Sequence, residues 1–185
     1  ISAPSGSCVS MVKEHYATFF NNDKDYNKVK ASIYEVCEFL HDIVKLENLN
    51  FDKPFAYQVG VHNSCHGHRV LKLATASELN IPYNSKLENL LSKVEGIELV
   101  TLKRPDECCG FGGTFCVSEE DLSIAMGKDR IKDHMDSEAT VMTGADMSCL
   151  MHMDGIINRN NHPIKVKHIV QFLLLLIVSF LTLNY

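Results

Sequence analysis

From residue 54 onward, short runs of apolar residues alternate with longer stretches in which apolar residues recur at helical spacing. The short runs predict four strands, at 55–61, 97–102, 139–143 and 164–169. The longer stretches predict three helices: one at 68–79, one that begins after a capping residue at Ser118, and one at 149–157. The helix after Ser118 is expected to bury one apolar face, formed by Leu122, Ala125, Met126, Ile131 and Met135. Because strands that alternate with helices require crossover connections, this order predicts a three-layer α/β fold, with a mostly parallel sheet and helices on both faces.

The first 50 residues follow a different pattern. Apolar residues at helical spacing predict one amphipathic helix over 27–46, and no complete set of strands is predicted. Residues 48–54 are typical of a linker. The chain is therefore expected to divide into a helical segment, 1–50, and a complete α/β domain, 51–185.

Apolar residues dominate the C-terminus from Phe172 through Leu183. The segment holds about 15 residues and includes polar residues such as Gln171 and Ser179, whereas about 20 apolar residues are needed to cross a bilayer. We expect a buried terminal helix and no transmembrane span, with peripheral membrane contact as the alternative.

Composition excludes several classes of protein. Charged residues make up 22% and the formal net charge is −5, so the chain offers no basic surface for nucleic acid. Seven cysteines are many for 185 residues, but their odd number argues against a secreted disulfide scaffold, as does the lack of signal-peptide character in 1–4. We therefore expect a reducing compartment, the cytoplasm, where clustered thiols indicate metal or redox chemistry.

Four cysteines lie in three loops that each follow a predicted strand. Cys65 lies in His-Asn-Ser-Cys-His, Cys108 and Cys109 begin Cys-Cys-Gly-Phe-Gly-Gly, and Cys149 ends Asp-Met-Ser-Cys. In open α/β sheets of the Rossmann or flavodoxin-like type, ligands bind at the carboxyl ends of the strands. These loops are therefore expected to converge, with Cys65, Cys108, Cys109 and Cys149 as ligands of one metal centre.

The adjacent pair Cys108 and Cys109 narrows the chemistry of this centre. Neighbouring side chains diverge, so a multi-iron cluster with separated iron atoms suits both thiolates better than one zinc ion does. Gly110, Gly112 and Gly113 allow backbone N–H groups to approach a cluster, and their spacing is not that of a dinucleotide-binding loop. Two alternatives remain open. One is a zinc-binding structural or docking module that uses three of these cysteines, and the other is a thiol redox switch in which Cys108 or Cys109 forms a disulfide.

The other cysteines and the histidines near Cys65 have simpler explanations. Cys37 falls beside the apolar stripe of the predicted 27–46 helix and is expected to pack in the core. Cys116 follows the glycine loop, and packing is preferred to ligation there too. Three histidines flank Cys65: His62, His66 and His68. Each is interpreted as a loop or capping residue, with tuning of a cluster or movement of a proton as the alternative.

A short internal repeat relates the first segment to this site. Pro-Ser-Gly-Ser-Cys-Val at 4–9 is similar to Ala-Asp-Met-Ser-Cys-Leu at 145–150. We expect Cys8 to end an earlier copy of the same unit, whose front half lies outside this sequence. Residues 1–50 would then be the helical remnant of a first repeat, with Cys8 in an incomplete site.

These motifs resemble the cysteine-rich CCG domain, which occurs twice in the cysteine-rich subunit of heterodisulfide reductases, in glycolate oxidase iron–sulfur subunits and in related proteins. The resemblance spans residues 1 to about 172. The motifs at 62–66, 104–115 and 144–152 are similar to those of the branch of the family that takes part in L-lactate oxidation. It implies a [4Fe–4S]-type cluster, cubane or non-cubane. It also implies electron transfer within a lactate-oxidising oxidoreductase complex, in which this chain is a subunit without activity of its own.

One departure from the family pattern concerns the last motif, Cys-x-x-Cys. Here Cys149 is followed by His152, which the resemblance makes a candidate further ligand or a hydrogen-bond donor near the cluster. The corresponding position of the first repeat is Met11, a poor ligand. We therefore expect the site at Cys8 to hold no cluster.

Overall fold

The computed structural model describes residues 1–47 and 56–174. Its strands are β1 (Ser2–Ala3), β2 (Tyr34–Glu35), β3 (Tyr57–His62), β4 (Ile97–Leu99), β5 (Val141–Gly144) and β6 (Lys165–His168). Its α-helices are α1 (Gly6–Ser10), α2 (Lys24–Ser32), α3 (Val36–Glu38), α4 (Lys86–Leu91), α5 (Phe115–Ser118), α6 (Glu120–Asp136) and α7 (Met147–Asn160). Residues 170–174 are also helical. The π-helical turns are Met11–His15, Phe39–Ile43 and His66–Val70, and the 3₁₀ turns are Tyr16–Thr18 and Ser77–Leu79.

Four parallel strands form the main sheet, in the order β4-β3-β5-β6. Val59 pairs with Leu99 on one side and with Val141 on the other, and Val141 pairs in turn with Lys165. The inner strand β5 is buried throughout, and β3 is buried over its last four residues. The predicted α/β fold and its four strands are thereby confirmed, with strand ends that differ by up to three residues from the apolar runs.

The two faces of the sheet contribute to separate core clusters. Val141 belongs to one cluster, together with Leu87 of α4. Met142 belongs to the other, together with Ile131 of α6 and Leu150 of α7. Because successive residues of a strand point to opposite faces, these neighbours show that helices cover both sides of the sheet.

Helix α6 faces the core with a side that differs from the predicted one. Leu122 is 54% exposed, and of the predicted apolar face only Ile131 is fully buried, whereas Gly127 and Arg130 are buried instead. A Cβ at Gly127 would lie 2.4 Å from Cδ1 of Ile156 on α7. The prediction is wrong for Leu122 and Ala125, at the start of the predicted apolar face, which are exposed. Helices α6 and α7 approach each other closely at Gly127, and this contact determines which side of α6 is buried.

The predicted continuous helix over 27–46 is wrong. Helix α2 ends before Ile33, which has extended backbone angles (φ −93°, ψ 131°). The next two residues form β2, which pairs in parallel with β1. From Ile33 to Cys37 every second residue is buried, which is the period of a strand and not of a helix. Cys37 itself is fully buried in the core, as predicted.

The predicted helix over 68–79 is also wrong. The π-helical turn at His66–Val70 is followed by Lys72, which has a left-handed conformation (φ 57°) that ends the turn. Beyond it, Ala74 forms an isolated bridge with Ser85, and a single 3₁₀ turn covers Ser77–Leu79. A folded-back chain, and not one helix face, therefore buries Leu71, Leu73, Ala74 and Ala76, whereas Leu79 stays exposed.

The N-terminal segment packs on the α/β part of the chain. Val9 of α1 and Leu40 share a core cluster with Val61 of β3. The N–H group of Gly6 donates to the carbonyl of Ala145 (3.2 Å). The predicted division after residue 50 and the predicted linker fall outside the described residues, so both stay predictions.

The C-terminal apolar segment is described as far as Leu174. Phe172 and Leu173 are buried, and the remainder of the predicted terminal helix lies outside the described residues. Across 1–47 and 56–174, no helix has the length and apolar character needed to cross a membrane.

Candidate metal centre

The three cysteine loops meet at the carboxyl edge of the sheet around a cavity of about 340 Å³, which Cys65, Cys108, Cys109 and Cys149 all line. The other lining residues are Ser7, His66, Phe111, Gly112, Gly113, Asp146 and Ser148. The loops converge because β3 lies between β4 and β5, so three neighbouring parallel strands deliver them to the same edge.

Hydrogen bonds on the N-terminal side of Cys65 hold the first loop. Asn63 is buried, and its side-chain amide donates to the carbonyl of Pro105 (3.2 Å), which ties the first loop to the second. The hydroxyl of Ser64 accepts the N–H group of Gly67 (3.2 Å). These contacts fix the start of the π-helical turn at His66–Val70, and Cys65 lies directly before this turn at the cavity.

Three glycines shape the second loop through positive φ angles: Gly110 (87°), Gly112 (55°) and Gly113 (63°). Gly110 also lies against α6, where a Cβ would be 2.6 Å from the carbonyl oxygen of Ser123. The bend directs the N–H group of Gly110 to Sγ of Cys108 (3.3 Å) and that of Phe111 to Sγ of Cys109 (3.5 Å). Both N–H groups stabilise negative charge on sulfur.

Asp146 organises the third loop and joins it to the N-terminal segment. One carboxylate oxygen caps α7 by accepting the backbone N–H (3.2 Å) and the hydroxyl (2.8 Å) of Ser148. The other oxygen accepts the N–H group of Ser7 (2.7 Å). Cys149 therefore lies in the first turn of α7, where the positive end of the helix dipole favours a thiolate.

Contacts between the four thiols shift their pKa values in opposite directions. Hydrogen bonds from Cys109 and then Cys65 hold the pKa of Cys108 far below its usual range. The pKa of Cys149 falls to about 6, first because Cys109 donates to it and further because His62 lies beside it. Hydrogen bonding to Cys108 raises the pKa values of Cys65 and Cys109, and burial raises them further. These opposite shifts favour thiolates at Cys108 and Cys149 and protonated thiols at Cys65 and Cys109. A bound metal would displace the protons of the two thiols.

His62 is a candidate ligand that sequence reasoning missed. It is the last residue of β3 and only 2% exposed. A ring nitrogen and the Sγ atoms of Cys109 and Cys149 all lie within 4.8 Å of one another. Neither ring nitrogen makes a hydrogen bond of normal geometry with any described residue. The only sequence signal was its place at a strand end just before Cys65, which also suits a loop or capping residue.

The structure does not bring His152 or Cys8 to the four cysteines. The Nε2 atom of His152 faces the carbonyl oxygen of Ser123 (3.3 Å), and the residue lines a separate groove between α6 and α7. A ligand role for His152 would require its ring to leave Ser123. Cys8 is exposed on α1, whereas its neighbour Ser7 reaches the cavity, so the incomplete site at Cys8 stays a prediction.

The residues that line the cavity fit an iron–sulfur cluster. Four sulfur donors face one space, and the N–H groups of Gly110 and Phe111 donate to two of them. A cluster of this kind requires thiolate ligands and hydrogen bonds to sulfur that offset its negative charge. The buried imidazole of His62 is not among the lining residues, but a ring nitrogen lies within 4.8 Å of the sulfurs of Cys109 and Cys149.

Fold and site together define a cysteine-rich α/β domain with a group of cysteines and a histidine that could hold a metal ion. Residues 59–154 match the family described as the CCG cysteine-rich domain, and the chain belongs to this family. The family predicted from the cysteine motifs is thereby confirmed.

Several relatives are proteins named lactate utilization protein A. The chain is 35% identical over 177 residues to lactate utilization protein A 1 of Bacillus mycoides (strain KBAB4), an alignment that covers 94% of this chain and 67% of that protein. It is 36% identical to lactate utilization protein A of Geobacillus sp. (strain WCH70), covering 94% of this chain and 69% of that protein. It is 34% identical to the protein of this name from Oceanobacillus iheyensis, with coverages of 94% and 67%.

Proposed function

We propose that this chain is an iron–sulfur electron-transfer subunit of an L-lactate-oxidising complex, with a [4Fe–4S]-type cluster, cubane or non-cubane, held by Cys65, Cys108, Cys109 and Cys149. The observation that carries the proposal is the convergence of these four thiols on one cavity of about 340 Å³. The names of the relatives connect chains of this kind with lactate utilization.

The hydrogen bonds around the cavity favour a cluster over a single ion. The N–H groups of Gly110 and Phe111 point at the sulfur atoms of Cys108 and Cys109, respectively. Donors aimed at ligand sulfur offset the negative charge of a thiolate-bound cluster and raise its reduction potential. Because the two cysteines are adjacent in sequence, a cluster with several iron atoms can satisfy both without bending the backbone between them.

The proposed role assigns the lactate chemistry to other subunits. Oxidation of a 2-hydroxy acid releases two electrons, and the glycine loop at 110–113 lacks the spacing of a dinucleotide-binding loop. The chain would therefore accept electrons from a neighbouring subunit and pass them on, and it would be inactive alone. All seven cysteines are free of disulfides, which agrees with a cytoplasmic location.

Metal and sulfide analysis of the full chain, purified without oxygen, tests the cluster. We expect about four iron atoms per chain with matching acid-labile sulfide and a brown colour. Cys109→Ser should lose both, because it removes a sulfur at the centre of the group. Cys116→Ser is a matched control, since that thiol lies just after the same loop and donates to the carbonyl of Gly113 (3.0 Å), which a serine hydroxyl can also do. Stoichiometric zinc without sulfide would refute the proposal.

A zinc-binding structural or docking module is the second candidate function. The group formed by His62, Cys109 and Cys149, with its ligand atoms within 4.8 Å of one another, has the donor types and compactness that one Zn²⁺ ion requires. A thiol redox switch at Cys108 or Cys109 is the third, since the lowered pKa of Cys108 leaves a thiolate beside a thiol. Zinc in the metal analysis supports the second candidate. Metal-free protein that reversibly loses two titratable thiols on oxidation supports the third.

A further inference from the structure

We propose that His62 is an imidazole ligand of the cluster, so that the centre has a nitrogen donor in addition to its four thiolates. Because a cubane [4Fe–4S] cluster has only four terminal sites, five ligands require the non-cubane form. This inference rests on the proposed function, because it assigns a ligand to the cluster proposed there. It also shifts the expected histidine ligand from the third loop, where the sequence pointed to His152, to the end of the first strand of the main sheet.

The first argument is the burial of an imidazole whose nearest polar neighbours are thiols. His62 is 2% exposed, neither ring nitrogen makes a hydrogen bond of normal geometry with a described residue, and the ring lies beside the Cys149 thiol, whose pKa it lowers. Among the histidines of the described ranges, only His62 has two buried ring nitrogens that both lack a hydrogen bond of normal geometry. A buried imidazole without a well-formed hydrogen bond is costly, and a metal bound by the same thiols would give its nitrogen a partner.

The second argument is the position of the ring relative to two cysteines. A ring nitrogen of His62 lies within 4.8 Å of the sulfurs of Cys109 and Cys149, which are themselves within 4.8 Å of each other. These distances are short enough for the ring nitrogen to face the same metal centre as the two sulfurs.

The third argument is that the backbone holds His62 in place. It pairs with Gly144 at the end of the β3–β5 ladder, so its main chain is fixed by the sheet and not by a loop. A Cβ at position 144 would lie 2.7 Å from the carbonyl oxygen of His62, which means that the close approach depends on glycine. A ligand on a strand end is positioned before the metal arrives, as an effective site requires.

Neighbouring histidines do not compete for this role. His66 also lines the cavity, but it is exposed to solvent. The Nδ1 atom of His68 lies 2.8 Å from the carbonyl oxygen of Ser64, so that ring already has a partner. His152 faces a carbonyl oxygen on α6. These differences make His66 and His152 suitable controls.

Pulsed electron paramagnetic resonance on the reduced cluster tests the inference directly. The full chain is produced with ¹⁵N-labelled histidine and reconstituted with iron and sulfide without oxygen, and hyperfine coupling between the cluster spin and ¹⁵N is recorded. We expect a coupling of directly bound strength in the wild type and in both His66→Gln and His152→Gln. In His62→Gln the coupling should be lost.

A cluster that shows no directly bound nitrogen in the wild type, or that keeps this coupling in His62→Gln, would overturn the inference while leaving the proposed function intact. Wild-type protein without iron and sulfide would instead contradict the proposed function itself. Far-UV circular dichroism and thermal unfolding of the metal-free variants establish that His62→Gln folds. His62→Cys provides an independent check, because a thiolate in place of the neutral imidazole should keep the cluster, abolish the nitrogen coupling and lower the reduction potential. An unchanged potential in that variant would count against ligation.

Discussion

Replacement of Gly110 by alanine is expected to destabilise the protein and to weaken the cysteine site. Gly110 has a φ of +87°, and a Cβ there would lie 2.6 Å from the carbonyl oxygen of Ser123 and 2.7 Å from Cβ of Met126. A left-handed backbone costs an L-residue about 1–2 kcal/mol. Overpacking against atoms that cannot rotate away costs about 1–3 kcal/mol more. We therefore expect the free energy of unfolding to fall by about 2–5 kcal/mol.

The same substitution acts on the ligands. The N–H group of Gly110 donates to Sγ of Cys108 (3.3 Å), and its carbonyl accepts the hydroxyl of Ser123 (2.8 Å). A shift of the backbone away from α6 would break both contacts and move Cys108 relative to the other sulfurs. Iron and sulfide per chain are therefore expected to fall severalfold, together with the loss of stability.

Gly113→Ala is the matched control for this prediction. Gly113 also has a positive φ (63°), but a Cβ there meets no described atom within 4 Å, so only the backbone penalty of about 1–2 kcal/mol applies. Urea unfolding of the metal-free proteins under reducing conditions measures both variants. Equal losses of stability in Gly110→Ala and Gly113→Ala would refute the steric argument, and wild-type stability in Gly110→Ala would refute the whole calculation.

Three further predictions concern stability away from the cavity. Arg130→Met should cost about 3–5 kcal/mol in urea unfolding, because it leaves the carboxylate of Asp133 buried without its ion-pair partner (2.9 Å). Burial raises the pKa of Glu35 from 4.5 to about 7, so the folded protein holds this proton more tightly than the unfolded chain does. The free energy of unfolding should therefore fall by about 3 kcal/mol as the pH rises from 4.5 through 7, and Glu35→Gln should remove this part of the pH dependence. Gly155→Ala, within α7 and clear of any described atom within 4 Å, should raise the unfolding midpoint through a gain of about 0.4–1 kcal/mol.

Each of these predictions has a result that contradicts it. If Arg130→Met lowers the free energy of unfolding no more than the double variant Arg130→Met/Asp133→Leu does, the buried charge pair is not the source of the cost. A pH profile that is the same in Glu35→Gln and wild type would assign the titration to another group. A destabilised Gly155→Ala would contradict the expected gain from the reduced freedom of the unfolded chain.

Local sequence patterns were sufficient for the main sheet and for the placement of the cysteines. Each strand of the sheet is a short apolar run, and each cysteine loop follows such a run directly. The carboxyl ends of parallel strands share one edge, so the order of elements predicts the convergence of Cys65, Cys108, Cys109 and Cys149, which the adjacency of β4, β3 and β5 brings about. The family resemblance depends on the same loops.

Tertiary contacts decided the features that sequence reasoning missed. The stretch that contains Ile33 has helical spacing, but Ser2 and Ala3 pair with Tyr34 and Glu35, more than 30 residues away, and impose a strand. Arg130 is polar and was not placed in the core, yet Asp133 compensates its charge and allows full burial. The same holds for His62. The sequence shows a histidine directly after the predicted strand 55–61, but only the packed structure determined that this histidine would end β3, buried beside two thiols. That outcome depends on atoms from other loops, which no local pattern contains.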